Sequence, residues 1–175
     1  MGKDSFRLLT PAEIPAFPCR TPLIEKLLSY WDGLRAGRLM PARSDIDPAA
    51  IKSLLSHIML VDLTYNPVRA RYRLVGTEIV RSAHFDFTGL YADEIQFESN
   101  DGTDWNGCYR RVAEGRVPGF GISHWMVAGE IQRWNEFLIC PLSSDGITVD
   151  KCISIEDHEP LNPVEIDDLP TAKPR

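Results

Sequence analysis

The residues of this chain that could carry chemistry are few and scattered. Cys19, Cys108, Cys140 and Cys152 form no C-x-x-C pair, so their spacing encodes neither a zinc knuckle nor a thioredoxin-type redox couple. Reduced, mostly buried thiols are expected. Cys140 and Cys152 flank Asp145-Gly146. A two-residue turn there would set Cys140 opposite Lys151 and Cys152 on the other face, so a disulfide switch would need a bulge. Arg35, Arg38 and Arg43 gather beside Asp45 and Asp47. Such a basic cluster either meets a phosphate-bearing ligand or acidic partner, or pairs with those aspartates to fix a helix link against a sheet. Glu136 interrupts a strand that is apolar toward its end; it faces water, pairs with an arginine such as Arg73, or touches a ligand. There is no glycine-rich phosphate loop, no G-x-S-x-G elbow, no H-E-x-x-H and no carboxylate pair with evident purpose. The expectation is a non-enzyme without a catalytic or metal site.

Length and composition bound what can position these groups. A chain of 175 residues and 19.7 kDa has room for one domain with trimmings. With 43% hydrophobic and 25% charged residues it has the composition of an ordinary globular protein. The formal charge of −6 and pI near 5.2 argue against a general grip on nucleic acid or acidic lipid. No apolar run approaches the ~18 residues of a bilayer span, and the polar start Met1 to Arg7 lacks a secretory layout, so a cytoplasmic location is expected. Gly2 does not make a myristoylation site, because Phe6 stands where Ser or Thr is required.

The elements follow from periodicity. Thr21 can cap a helix that Pro22 begins, with Leu23, Ile24, Leu27, Leu28, Trp31 and Leu34 on one stripe before Gly37. Asp47-Pro48 repeats the signature and predicts a short helix carrying Ile51, Leu54 and Leu55. Strands are predicted over Ile58–Thr64 and Arg71–Gly76, joined by the turn at Asn66-Pro67. Short helical turns broken by Asp86-Phe87-Thr88-Gly89 come next, followed by a helix capped by Asp104. Three strands, Gly119–Val127, Gln132–Leu142 and Ile147–Ile155, complete the pattern, with Asp145-Gly146 as a tight hairpin turn. Residues 1–20 read as a flexible segment, 21–157 as the domain and 158–175 as a frayed Pro- and acid-rich tail.

Hairpin spacings with a helical crossover make an antiparallel sheet, and this order resembles a PAS domain. The run Trp31, Leu34, Arg35, Gly37, Arg38, Met40-Pro41, Arg43, Asp45-Ile46-Asp47-Pro48, Leu54-Leu55 resembles the start of a family of small stand-alone PAS proteins best known from alphaproteobacteria. So do Arg73-Leu74-Val75-Gly76-Thr77, Asp86-Phe87-Thr88-Gly89, Glu136 before Pro141-Leu142, and Asp145-Gly146. The resemblance implies an α+β fold: a five-stranded antiparallel sheet, helices over one face, and the amphipathic N-terminal helix packed on the sheet or a dimer partner. It implies a sensory or signalling module that binds a small molecule between sheet and helices, forms a homodimer, and passes its signal to a protein partner. It names no cofactor. Haem would need an axial imidazole from His84 or His124, and a flavin photosensor a cysteine in an asparagine-cysteine-arginine setting, which Asn106-Gly107-Cys108-Tyr109-Arg110 matches in ingredients but not in spacing. The candidate pocket residues are Tyr72, Leu74, His84, His124, Trp125 and Glu136, and the candidate partner surface is Leu27, Trp31 and Leu34. Alternatives from other classes are a ligand-free structural adaptor and a small enzyme of ketosteroid-isomerase-like shape, the latter distinguished by whether the helical insert lies between the second and third predicted strands.

Overall fold

The computed structural model describes residues 6–97, 102–127 and 130–160, with side chains described outside 125–132 and 159–160. Strands β1 (Phe6–Leu8), β2 (Ile58–Thr64), β3 (Arg69–Val75), β4 (Gly119–Val127), β5 (Glu130–Leu142) and β6 (Lys151–Pro160) form one antiparallel sheet in the order β1-β4-β5-β6-β2-β3. Helix α1 (Pro22–Arg35) precedes β2, while α2 (Thr77–Ala83) and α3 (Trp105–Gly115) lie between β3 and β4. The helical crossover therefore sits where the PAS-like order requires it, and strand order argues against the ketosteroid-isomerase-like alternative.

The sheet has six strands where five were expected, and the extra one comes from the segment read as flexible. Phe6 and Leu9 are buried, Phe6 stacks on Phe137 with ring planes 3° apart, and β1 pairs Phe6 with Gly121 at the β4 edge. Polar-looking sequence concealed it, because three residues are too few to show an alternating pattern. Gly121 is needed there: a Cβ would lie 2.3 Å from Phe137 Cζ.

Helix α1 covers β5 and β6 on the face opposite α2 and α3, so the sheet is layered on both sides. Ile24, Leu27, Leu28 and Trp31 are buried there, each contributing about 2 kcal/mol of apolar burial. Trp31 Nε1 donates to the carbonyl of Pro141 at 2.8 Å, and Leu34 packs half-buried against the same core. This corrects the expected partner surface of Leu27, Trp31 and Leu34: their apolar stripe is spent on the chain's own sheet. Thr21 stands at the N-cap but makes no side-chain cap. The following Asp47-Pro48 segment forms turns and a 3-10 stretch, Lys52–His57, instead of an α-helix.

The Asp145-Gly146 turn is not a two-residue hairpin. Leu142 pairs with Lys151, leaving an eight-residue connection in which Asp145 accepts from the amides of Thr148 (2.7 Å) and Ile147 (2.8 Å) and from Ser143 Oγ (2.9 Å). Those donors, Thr148 first, hold its carboxyl well below the usual range. The strand after the turn thus starts at Lys151, not Ile147. Cys140 pairs with Ile153 and Cys152 with Pro141, so the two thiols fall on opposite faces in the observed register. Of the expected tail 158–175, residues 158–160 are instead the end of β6, paired with β5, and the rest lie outside the described residues.

Candidate ligand site

The face of the sheet under α2 and α3 carries Tyr72 of β3, Ser123 of β4, Asn135 and Phe137 of β5, and Ser154, Glu156 and His158 of β6, as the register dictates. The helices reach it with aromatic and aliphatic groups. Ile79 comes from α2, and Asp104 Oδ1 caps α3 through the Gly107 amide at 2.8 Å, setting Trp105 against Phe137 with ring centroids 4.7 Å apart. Phe87 is presented by the Asp86–Gly89 turn, in which Asp86 Oδ1 accepts from the Thr88 amide and Gly89 takes φ +92°. It meets Tyr72 edge-on at 4.7 Å and Phe97 at 5.4 Å.

A cavity of about 30 Å³ lies between these layers. Tyr72, Ile79, Ala83, Phe87, Phe97 and Trp105 make its apolar side, and Ser123, His124, Asn135, Glu156 and His158 its polar side. That volume admits a water molecule. A ring-sized ligand requires the aromatic wall to move.

The polar side is buried and incompletely satisfied. Asn135 Nδ2 donates to Glu156 Oε2 at 2.9 Å and to Ser123 Oγ at 3.2 Å, while Asn135 Oδ1 has no partner among the described residues. Burial pushes the Glu156 carboxyl up to about 7, against the opposing effect of the Asn135 bond. Burial, then the charge of Arg133 and then that of His57, push His158 down to about 4. His158 Nε2 lies 3.4 Å from Glu156 Oε2, but burial disfavours charge on both, so the pair is neutral between those two values and is no ion pair. The site therefore offers a carboxyl able to donate or accept a proton near neutrality, beside an amide oxygen that lacks a donor.

Of the residues expected in the pocket, Tyr72 and His124 line it. Trp125 lies on β4 opposite Arg133, and its side chain is outside the described residues. Leu74 does not reach the cavity: Leu60 pairs with Leu74 and Val61 with Tyr72, a bulge that breaks the alternation of β3 and leaves Leu74 46% exposed on the other face. His84 is exposed at the C-terminus of α2 with φ +62° and lines nothing there. Glu136 is fully buried on the α1 side, where its carboxylate accepts from the backbone amides of Arg20 and Thr21, both at 2.9 Å. It anchors the start of α1 and neither faces water nor pairs with Arg73, which reaches Asp62 at 3.8 Å. Of the arginine cluster, Arg35 pairs with Asp32, Arg38 with Asp45 at 2.7 Å, and Arg43 with no described group.

Asn135, Glu156 and His158 were not singled out from the sequence, although Asn135 and Glu156 interrupt apolar strands as visibly as Glu136 does. Assigning them to the helix side required the β5–β6 register, which the eight-residue connection conceals. No cysteine lines the cavity, Cys108 being buried elsewhere on α3. Neither haem nor flavin fits the present volume, and among the described residues no group of His, Cys, Asp and Glu gathers as metal ligands. No described helix is long and apolar enough to cross a membrane.

A sequence profile described as PAS domain matches residues 20–153. No curated protein sequence matches the chain. Among solved structures, a light-oxygen-voltage domain examined with a flavin analogue is 10% identical, with a TM-score of 0.50 over 69% of this chain and 87% of that one. The dark structure of the blue-light photoreceptor Aureochrome1 LOV is 10% identical, with a TM-score of 0.48 over 69% and 86%. The LOV domain of a blue-light activated histidine kinase from Erythrobacter litoralis is 14% identical, with a TM-score of 0.42 over 60% and 96%. At these identities the likeness concerns the fold alone.

Proposed function

The chain belongs to the PAS domain family, and from that premise we propose that it is a non-enzymatic cytoplasmic sensory module. It binds a small molecule between sheet and helices and passes the signal on by protein contact, with a homodimer as its working form. The observation that carries this reading is the buried Asn135 Oδ1, left without a hydrogen-bond donor among the described residues inside a cavity walled by aromatic side chains. Leaving such a group unpaired costs about 1–3 kcal/mol, which a ligand with a matching donor recovers. Tyr72, Phe87 and Trp105 suit a planar or apolar body, while Asn135 and Glu156 fix its polar edge. His124 borders the polar end.

Native mass spectra and an ultraviolet-visible spectrum of freshly purified protein test the proposal. Extra mass that disappears in Asn135→Ala supports it. A bare wild-type chain that also gains no thermal stability from a metabolite library sinks ligand binding and favours the ligand-free adaptor. Size measurement at high concentration tests the homodimer, a compact monomer excluding it.

A further inference from the structure

We propose that the ligand of the inner cavity is a planar organic cation with N–H donors along one edge: an amidinium, a guanidinium or a protonated amino-heterocycle. Its flat body lies among the aromatic walls and its N–H edge spans Asn135 Oδ1 and the Glu156 carboxylate. The proposal rests on the ligand-binding reading above and names the chemical class of the ligand.

Donors and acceptors decide the edge. Both N–H groups of Asn135 are committed, to Glu156 Oε2 at 2.9 Å and to Ser123 Oγ at 3.2 Å, so its amide offers a ligand only the Oδ1 acceptor. Glu156 meets that amide and the His158 ring through the same oxygen, Oε2, which leaves Oε1 with no described partner. Two acceptors on the adjacent strands β5 and β6 therefore face one cavity. A lactam or primary amide sets its own carbonyl against Glu156 unless that carboxyl keeps its proton. The flat fork of an amidinium or guanidinium supplies donors to both acceptors.

Charge decides the rest. Tyr72, Phe87, Phe97 and Trp105 wall the cavity, and no lysine or arginine lines it among the described residues. Aromatic faces attract a cation. Burial holds the Glu156 carboxyl at about 7, and a cation seated beside it offsets the cost of its ionisation. The groups around Glu156 do not supply that cation. His158 on β6 is neutral, its pKa pushed down to about 4. Tyr72 on β3 and Tyr109 on α3 are buried phenols, and α2 brings only Ile79 and Ala83 to the cavity. His57 bonds the Glu156 backbone carbonyl at 3.0 Å, and His124 of β4 borders the polar side.

At about 30 Å³ the cavity takes the head of such a cation and no ring. Phe87 and Phe97 are the walls that a larger body displaces, because both lie outside helix and strand, whereas Tyr72 and Trp105 belong to β3 and α3.

The test is calorimetric titration of the intact wild-type protein at pH 8 with methylguanidine, benzamidine, the neutral isostere benzamide, and tetramethylammonium, a cation without N–H groups. Methylguanidine or benzamidine should bind at least tenfold more tightly than benzamide and tetramethylammonium. Lowering the pH to 6 should weaken that binding about tenfold, because Glu156 then holds a proton that it must release to solvent as the cation enters. In Glu156→Gln this pH dependence should vanish and affinity at pH 8 should fall at least tenfold, as it should in Asn135→Ala. Selectivity among the four compounds is read on wild type, so it decides the matter even where a variant fails to melt cooperatively. Preference for benzamide, equal binding of tetramethylammonium, affinity that rises as pH falls, or a folded Glu156→Gln that binds like wild type overturns the cation. Failure of all four compounds overturns it as well. Native mass spectra then separate the two readings: a retained neutral molecule removes the cation alone, whereas a bare chain that no metabolite stabilises removes ligand binding with it.

Discussion

Glu136 and Glu156 are both buried carboxylates on adjacent central strands, facing opposite sides of one sheet, and they are built for different work. Glu136 is met by two backbone amides at 2.9 Å, donors that cannot move without unwinding the entry to α1. Glu156 is met by one side-chain amide and a neutral imidazole, in a cavity where Asn135 keeps an unused acceptor. A fully satisfied buried carboxylate fixes structure, whereas a poorly satisfied one changes its charge or finds a ligand. The contrast locates the rigid side and the responsive side of the molecule from hydrogen-bond accounting alone.

The sharpest way to break this comparison is to remove the anchors on the α1 side. Trp31→Ala should cost about 3–5 kcal/mol in urea unfolding, by loss of core volume and of the Pro141 hydrogen bond. Had Trp31 served a partner surface instead, stability would stay put and only association would fall. Glu136→Ala should cost about 3 kcal/mol, since the buried Thr21 amide and the part-buried Arg20 amide lose their acceptor, with Glu136→Gln recovering part of it.

On the responsive side the expected effect depends on pH. The folded Glu156 carboxyl, at about 7, holds its proton more tightly than the unfolded one near 4.5. The folded state therefore binds more protons in that window, and this group's contribution to stability falls as pH rises from about 4.5 to about 7. His158 runs the other way: depressed to about 4 from 6.5, it favours the folded state increasingly as pH rises through that interval. Comparing wild type with Glu156→Gln isolates the carboxyl, so the variant should gain stability relative to wild type between pH 5 and pH 7.5 in parallel denaturant titrations. A constant difference would mean that Glu156 titrates alike in both states. The smallest effect belongs to Leu74→Ser, at about 0.5 kcal/mol or less, because Leu74 is 46% exposed.

Periodicity sufficed for α1, for β2, for β4 and for the PAS-like order, because each depends on residues close in sequence. The Asp104 cap and the Asp86-to-Gly89 turn were legible for the same reason. What escaped depends on pairing across the sheet. β1 is too short to show a period, Leu74 is turned by a bulge defined only by its partner Leu60, and Asn135 and Glu156 declare their common face only through register. Tyr72 lies before that bulge and faces the cavity. Leu27 and Trp31 were recognised as an apolar stripe, but amphipathicity states that a face must be covered, not by whom.

The strand order also sets a timetable for folding. The β2–β3 hairpin closes locally, yet its neighbour β6 pairs Ile58 with Ile155, about a hundred positions later, and β1 waits for β4 over a similar span. Contacts of such separation pay their loop-closure entropy before they return any energy, so assembly is slow for a chain of this size. During synthesis the first hairpin stands with one edge unpaired until β6 has emerged, and that interval, rather than the finished fold, is when the molecule is most open to aggregation.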